Sequence, residues 1–343
     1  MLQHKFYERS NFIGFPRVGP PVFSVSEGTP GITGYEDLVY LPSANALYRL
    51  DGSIVPESRR IHFDDAMVFV KQSDVFKNKI EGIYPSKAVI PAELLIEERP
   101  VVLLGNSTMH FGHFLLEGLA RMWAVLSGDV DLREEIALFT NSTPQASFAS
   151  QFFEPLGVRN ALYPTAPTLY RRVRVVSPSI NHVFNISRVL PEVHREISSR
   201  VVMSDRRFDR PVFISRAGVA NGIHTFHGED VLEAEFVANG FEAIRPETLS
   251  IPDQIALFAR CSLIVGSVGS AFHNIVFEPE DGNHVRIMMT PANLGHRFPM
   301  VDAVCHGHQS WYLNVMPAVT KRGQQVSIDV DAARGMLKMV GVL

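Results

Sequence analysis

The sequence predicts an α/β protein in which strands and helices alternate and the strands form parallel sheets covered by helices. Three observations carry this. Short apolar runs rich in β-branched residues recur between Gly and Pro signals; stretches with apolar residues at helical spacing lie between them; and in the second half the two kinds alternate without interruption. Ligands of such sheets sit at the carboxyl ends of the strands.

Residues 1 to about 60 are rich in Gly, Pro and Tyr, with a short extended piece at Leu38 to Leu41 and a turn signal "LDGS" at 50 to 53, so irregular structure and small strands are expected. From 99 the pattern sharpens. "RPVVLLG" reads as a buried strand, and "STMHFGHFLLEGLARMWAVLSG" as a helix carrying Phe114, Leu115, Leu119, Met122 and Leu126, closed by Gly128. A strand at Ala137 to Thr140, a helix from about Pro144 to Leu156 and a strand at Val173 to Ser177 follow. In the second half, "RPVFISR" is a strand, "GEDVLEAEFVANG" a helix ended by Gly240, "FEAIRPE" a strand, and "SIPDQIALFARC" a helix with Ser250 as cap and Pro252 in its first turn. "SLIVGSVG" and "HVRIMM" are further strands, and "SIDVDAARGMLKMVGVL" is a terminal helix with an acidic start. The expected domains are 1–165, 166–300 and a C-terminal segment, 301–343, packing back on the first.

The 343 residues, 46% hydrophobic and 20% charged, suffice for about two cores. A formal charge of -4 gives no global basic field, which argues against nucleic acid as a partner. Two cysteines, Cys261 and Cys305, are too few for a disulfide framework and suit a reducing compartment. The start "MLQHKFYERSNF" lacks the apolar core of a signal peptide and no apolar run reaches the roughly 18 residues of a membrane span. The expectation is a cytoplasmic protein without a transmembrane segment, with membrane-surface association left open and oligomeric state unread.

The stretch "GSVGSAFHNIVFE" at 266 to 278 follows a strand and leads into a helix from about Ala271. Gly266, Gly269 and Ser270 then place backbone N–H groups at a helix N-terminus, where an anion is favoured; Ser267 and Ser270 add hydroxyl donors. The spacing is GxxG, neither GxGxxG nor GxxxxGK[ST], which removes support for NAD and ATP sites of those kinds. A tight turn needing glycine for geometry alone is the plainer alternative. Arg216, ending the strand "VFISR", faces the same crevice in a parallel sheet and can neutralise a diphosphate through paired N–H donors. Asn274 on the following helix can bond a sugar or a neighbouring loop.

Taken in order, "FGHFLLEGLARM", "VFISRAG" and "GFEAIRPETLSIPDQIALFARCSLIVGSVGSAFHNIVFEPEDG" resemble glycosyltransferase family 61, which includes plant xylosyltransferases, protein O-GlcNAc transferases of the secretory pathway and bacterial capsule or lipopolysaccharide enzymes. The resemblance covers roughly 100 to 290. It implies a GT-B-like α/β fold, two Rossmann-like domains facing a central cleft, and an inverting, metal-independent transfer from a nucleotide sugar, taken as UDP-linked, to a glycan acceptor in polysaccharide biosynthesis. No cofactor is implied beyond the donor itself. Val268 stands where the family usually has His between the glycines, the family's second basic residue falls near Asn221 and Gly222, and its "NE" appears as Gly228 and Glu229.

An inverting transfer needs a general base and a clamp on the departing diphosphate. His113 and Glu117, four apart, share a helix face and match the family's HxLLE, so the resemblance assigns proton transfer to that pair; bracing of the helix is the plainer alternative. Arg216 with the backbone of Gly269, Ser270 and Ala271 would hold the diphosphate, and Arg245 and Glu247 lie where a base or ribose would sit. His182 is a weaker candidate for the cleft. Two alternatives stand beside this: a degenerate sugar-nucleotide-fold binding protein, suggested by Val268, and a metal-dependent enzyme using His110, His113 and Glu117. The DxD strings at Asp129 to Asp131 and Asp329 to Asp331 follow one helix and open another, and read as structural.

Overall fold

In the computed structural model the chain is mixed α/β and forms two compact units, Ser24–Arg200 and a second built from the residues up to Phe23 together with Val201–Leu343. The structure describes residues 9–15, 23–59, 84–106, 110–140, 148–181, 185–201, 204–216, 225–295, 297–319 and 324–343. His182, Asn221, Gly222 and the expected helix start at Pro144 lie outside the described residues.

The Ser24–Arg200 unit holds a seven-stranded mixed sheet. Thr168–Val176, Val101–Asn106, Ile136–Thr140 and Ala161–Leu162 run parallel in that spatial order. Ile32–Leu41 joins Thr168–Val176 antiparallel and turns back as a hairpin to Ala46–Arg49, while Leu95–Glu97 pairs with the start of Thr168–Val176. The period-2 alternation of Leu38 and Tyr40, Val101 and Leu103, and Val173 and Val175 puts all six in one core. Because Thr168–Val176 lies mid-sheet, pairing with three strands, the chain does not divide at 165 as the sequence suggests; the units part at 23/24 and 200/201.

The helix expected over 107 to 128 is interrupted. Phe111–His113 is α-helical, Phe114–Gly118 forms a π-helical turn, and α-helix returns only at Trp123–Leu126. The turn lies close against the neighbouring strand: at Gly105, whose φ is +158°, a Cβ would lie 2.6 Å from the Gly118 carbonyl oxygen. Only glycine at 105 lets strand and turn approach so closely.

The second unit is built on a six-stranded, all-parallel sheet. Its spatial order is Ser10–Ile13, His308–Met316, His284–Pro291, Leu263–Ser267, Val212–Ile214, Glu242–Ile244. Numbered along the chain from Val212–Ile214, the five later strands run 2-1-3-4-5, and the winding reverses between Val212–Ile214 and Leu263–Ser267. Such a reversal opens a crevice at the carboxyl ends of the two strands. The connecting helices Glu229–Ala238 and Ile251–Arg260 form where their apolar periodicity predicts, the latter capped by Ser250 Oγ accepting from the Asp253 N–H at 3.2 Å.

Residues 301–343 belong to this unit, where they meet the start of the chain: Ser10–Ile13 pairs with His308–Met316. His308–Met316 is a strand of its sheet, and the terminal helix Val330–Met339, capped by Asp329, buries Ala333 and Leu337 in one core with Phe213, Val265, Ile287 and Leu313. The helix's apolar stripe has its match in that sheet face, which decides where it docks.

A charged network is sealed inside the same unit. Arg286, fully buried, donates from Nε to Glu278 at 2.6 Å; His308 lies 3.0 Å from Glu278 through Nδ1 and 2.8 Å from Asp302 through Nε2. Asp302 also accepts from Ser10, Ser310 and Tyr312. Burial alone pushes the Glu278 carboxyl up, but Arg286 and His308 overturn this and hold it well below the usual carboxylate range. Burial likewise pushes His308 down, and Glu278 and Asp302 reverse that, raising it to about 9.

Candidate functional site

At the reversal of the parallel sheet, Ile214 stands opposite Gly266, so the chain leaves the two strands side by side as Ser215, Arg216 on one and Ser267, Val268, Gly269 on the other. Gly266 is buried, and a Cβ there would meet the Ile214 carbonyl at 2.8 Å. At Gly269 the backbone is extended, so conformation does not demand glycine; space does. A Cβ would fall 2.0 Å from Arg216 Nη1. The guanidinium thus lies across the bare backbone of the turn, donates to the Val268 carbonyl at 3.3 Å and rests over the Phe226 ring at 5.0 Å.

The segment after the turn is a 3-10 helix, Ser270–Phe277, in place of the expected α-helix. Its first closed bond runs from Phe272 N to Gly269 O at 3.1 Å, so the amides of Ser270 and Ala271 lie ahead of the ladder, beside Arg216's end of the crevice. Three residues per turn set Asn274 over Ala271. Its Nδ2 donates inward to Ala271 O at 2.9 Å and Gln254 Oε1 at 3.4 Å, and the residue is buried. Asn274 therefore braces its own helix against Gln254; the sequence suggested a sugar or a neighbouring loop as its partner.

Carboxylates surround the arginine. The Arg216 N–H donates to Glu229 Oε2 at 3.0 Å, and Ser215 Oγ donates to Glu233 Oε2 at 2.5 Å. Burial lowers the Arg216 pKa, and the charges of Glu229 and Glu247 pull it back up; the group stays a cation. Burial raises the Glu229 carboxyl above its ordinary range, against the Ser267 hydroxyl and Arg216. Glu247 acts on Arg216 through its charge, and both Glu247 and Arg245 are exposed, Arg245 at the start of the short Pro246–Thr248 turn. Sequence reasoning gave Glu229 no role in the site; the available signal was its place two residues after "FH" and one after Gly228, the survivor of the family's "NE".

The other candidates sit in the Ser24–Arg200 unit. His113 Nδ1 and Glu117 Oε1 are 2.6 Å apart across the π turn, with Glu117 buried and His113 19% exposed in its side chain. With the carboxylate accepting at Nδ1, the basic lone pair of the neutral ring is on Nε2. The ring of His110 packs edge-on against that of His113 at 4.8 Å, but His110 precedes the helix in extended conformation, so the three residues do not share one helical face. Among the described residues no group of three or more His, Cys, Asp or Glu side chains is placed to hold a metal ion. Of the DxD strings, Asp131 pairs with Arg133 at 2.6 Å, and Asp329 caps the terminal helix at the Ala332 N–H.

The family model described as Glycosyltransferase 61 matches residues 111–285, about half of the 343-residue chain, from the His113–Glu117 turn through the Arg216 strand and the glycine turn. No curated protein matches the chain. No helix among the described residues is long and apolar enough to cross a membrane. With the strand–arginine and glycine-turn geometry lying within the matched segment, the chain belongs to glycosyltransferase family 61, whose members move a sugar from a donor to an acceptor.

Proposed function

We propose that the protein is an inverting, metal-independent GT-B glycosyltransferase that uses a UDP-sugar and extends a glycan in polysaccharide biosynthesis. The observation that carries the donor half of this reading is the sheet reversal: Arg216 and the amides of Gly269, Ser270 and Ala271 gather at one pair of strand ends. A diphosphate there accepts from a guanidinium and from backbone N–H groups, which take the place a divalent ion holds in other transferases. The adjacent carboxylates of Glu229 and Glu247 offset part of the arginine's field, so the amides and the pre-set guanidinium matter more than net charge.

The acceptor half rests on His113 and Glu117. His113 Nε2 takes the acceptor hydroxyl's proton as its oxygen attacks the anomeric carbon; the bond from that carbon to the diphosphate breaks, and the diphosphate leaves against Arg216. Glu117 holds the Nδ1–H and stabilises the imidazolium.

A thermal-shift screen across nucleotides and UDP-sugars tests the reading. UDP is expected to raise the melting point, since a ligand of the native state stabilises by mass action. UDP binding with no turnover of any donor turns the reading into a binding protein, and stoichiometric zinc or iron in the purified protein turns it toward the His110, His113 and Glu117 metal enzyme. No response to any nucleotide overturns the site.

A further inference from the structure

We propose that His194 is a positioning residue for the His113–Glu117 pair, holding the π-helical turn between them through a hydrogen bond from its Nε2–H to the Leu115 carbonyl. The inference rests on the reading that this pair handles the acceptor's proton.

In the π turn the Leu119 N–H skips Leu115 and bonds the Phe114 carbonyl, five residues back, at 3.1 Å. The Leu115 carbonyl loses the donor an α-helix would supply, inside a buried segment where a lost hydrogen bond is costly. His194, fully buried on the Val189–Arg200 helix, places Nε2 3.0 Å from that carbonyl. Its Nδ1 lies 2.9 Å from the Leu190 carbonyl, four residues earlier on the same helix. Both partners only accept, so both bonds form only with a charged ring, which burial disfavours. A neutral ring donates once. The Leu190 carbonyl belongs to a regular helix whose ladder already provides a donor; the Leu115 carbonyl does not, and the Nε2–H tautomer follows. The clamp fixes the turn two residues from both His113 and Glu117, and a shift of the turn moves the two against each other.

Histidine-labelled full-length protein, read by nitrogen NMR, tests this without substrate. Expected in the wild type are an Nε2–H tautomer at His194 and a downfield His113 Nδ1 proton, the latter identified by its loss in Glu117→Ala, which removes the acceptor. That proton is lost again in His194→Leu and retained in His194→Gln, whose amide restores the donor. With any UDP-sugar that is turned over, His194→Leu lowers kcat about a hundredfold with the donor KM unchanged, and His194→Gln recovers it. An Nδ1–H tautomer at His194 overturns the proposal, even where His194→Leu does not fold, and so does a His113 proton unchanged in a folded His194→Leu. Full turnover in Glu117→Gln sinks the proton-transfer reading instead, and the NMR outcome still decides the clamp.

Discussion

Gly269 and Arg216 show how one residue's absence of side chain makes another's position. A methyl group at 269 would collide with the guanidinium, so the pair specifies each other across 53 residues of sequence. The chemistry of the second candidate pair is similarly local: Glu117 is buried against His113, and replacing it with Gln keeps shape and hydrogen bonding while removing the charge that stabilises an imidazolium. Glu117→Gln is expected to lower kcat at least about a hundredfold and leave UDP affinity intact, measured by UDP release and by calorimetry. Arg216, the glycines and His113–Glu117 were legible in the sequence because each lies at a predicted strand end or at a fixed helical spacing. Asn274 and Glu229 were not. The amide's direction depends on a 3-10 winding that "SAFHN" does not announce, and Glu229 reads as an ordinary acidic first-turn residue until the strand bearing Arg216 is laid beside it.

At the scale of elements, alternation of strands and helices predicted the parallel sheet because apolar runs and helical periodicity are one-dimensional signals. The π turn left no such trace; it ends at Gly118, whose carbonyl Gly105 approaches in a contact between a strand and a helix. The 3-10 helix that follows the glycine turn is anchored at its far end by Glu278, which joins it to the Arg286, His308 and Asp302 network. Arg286→Met leaves the Glu278 carboxylate buried with weakened compensation and is expected to cost about 3–5 kcal/mol in urea unfolding. The network also has a pH signature. His308 has a native pKa raised to about 9, so its stabilisation is complete below the unfolded value of about 6.5 and is lost as pH rises through 9. Unfolding free energy should therefore decline between those limits in the wild type and decline less in His308→Gln; parallel curves would remove the histidine from the account.

For the molecule as a whole, the division of the chain is the feature least accessible to one-dimensional reading. The residues up to Phe23 share a unit with Val201–Leu343, and Ser10–Ile13 pairs with His308–Met316 across nearly 300 residues. Nothing in a short polar strand such as "SNFI" names so distant a partner. The terminal helix completes the same unit through Leu337, which has no exposure and touches the core that also holds Phe213 and Val265. Leu337→Ala is expected to lower stability by about 2–5 kcal/mol in denaturant unfolding, with loss of nucleotide binding following the loss of fold. A smaller effect than about 1 kcal/mol would mean that the helix merely rests on the surface.

In the proposed mechanism Arg216 and the glycine-turn amides bind the diphosphate of a nucleotide donor. Calorimetric titration of wild type and Arg216→Ala with UDP tests it most directly. The variant is expected to fold and to bind about ten- to a hundredfold more weakly, the equivalent of about 1.5–3 kcal/mol for lost hydrogen bonds to a charged group. Wild-type affinity in Arg216→Ala would contradict it.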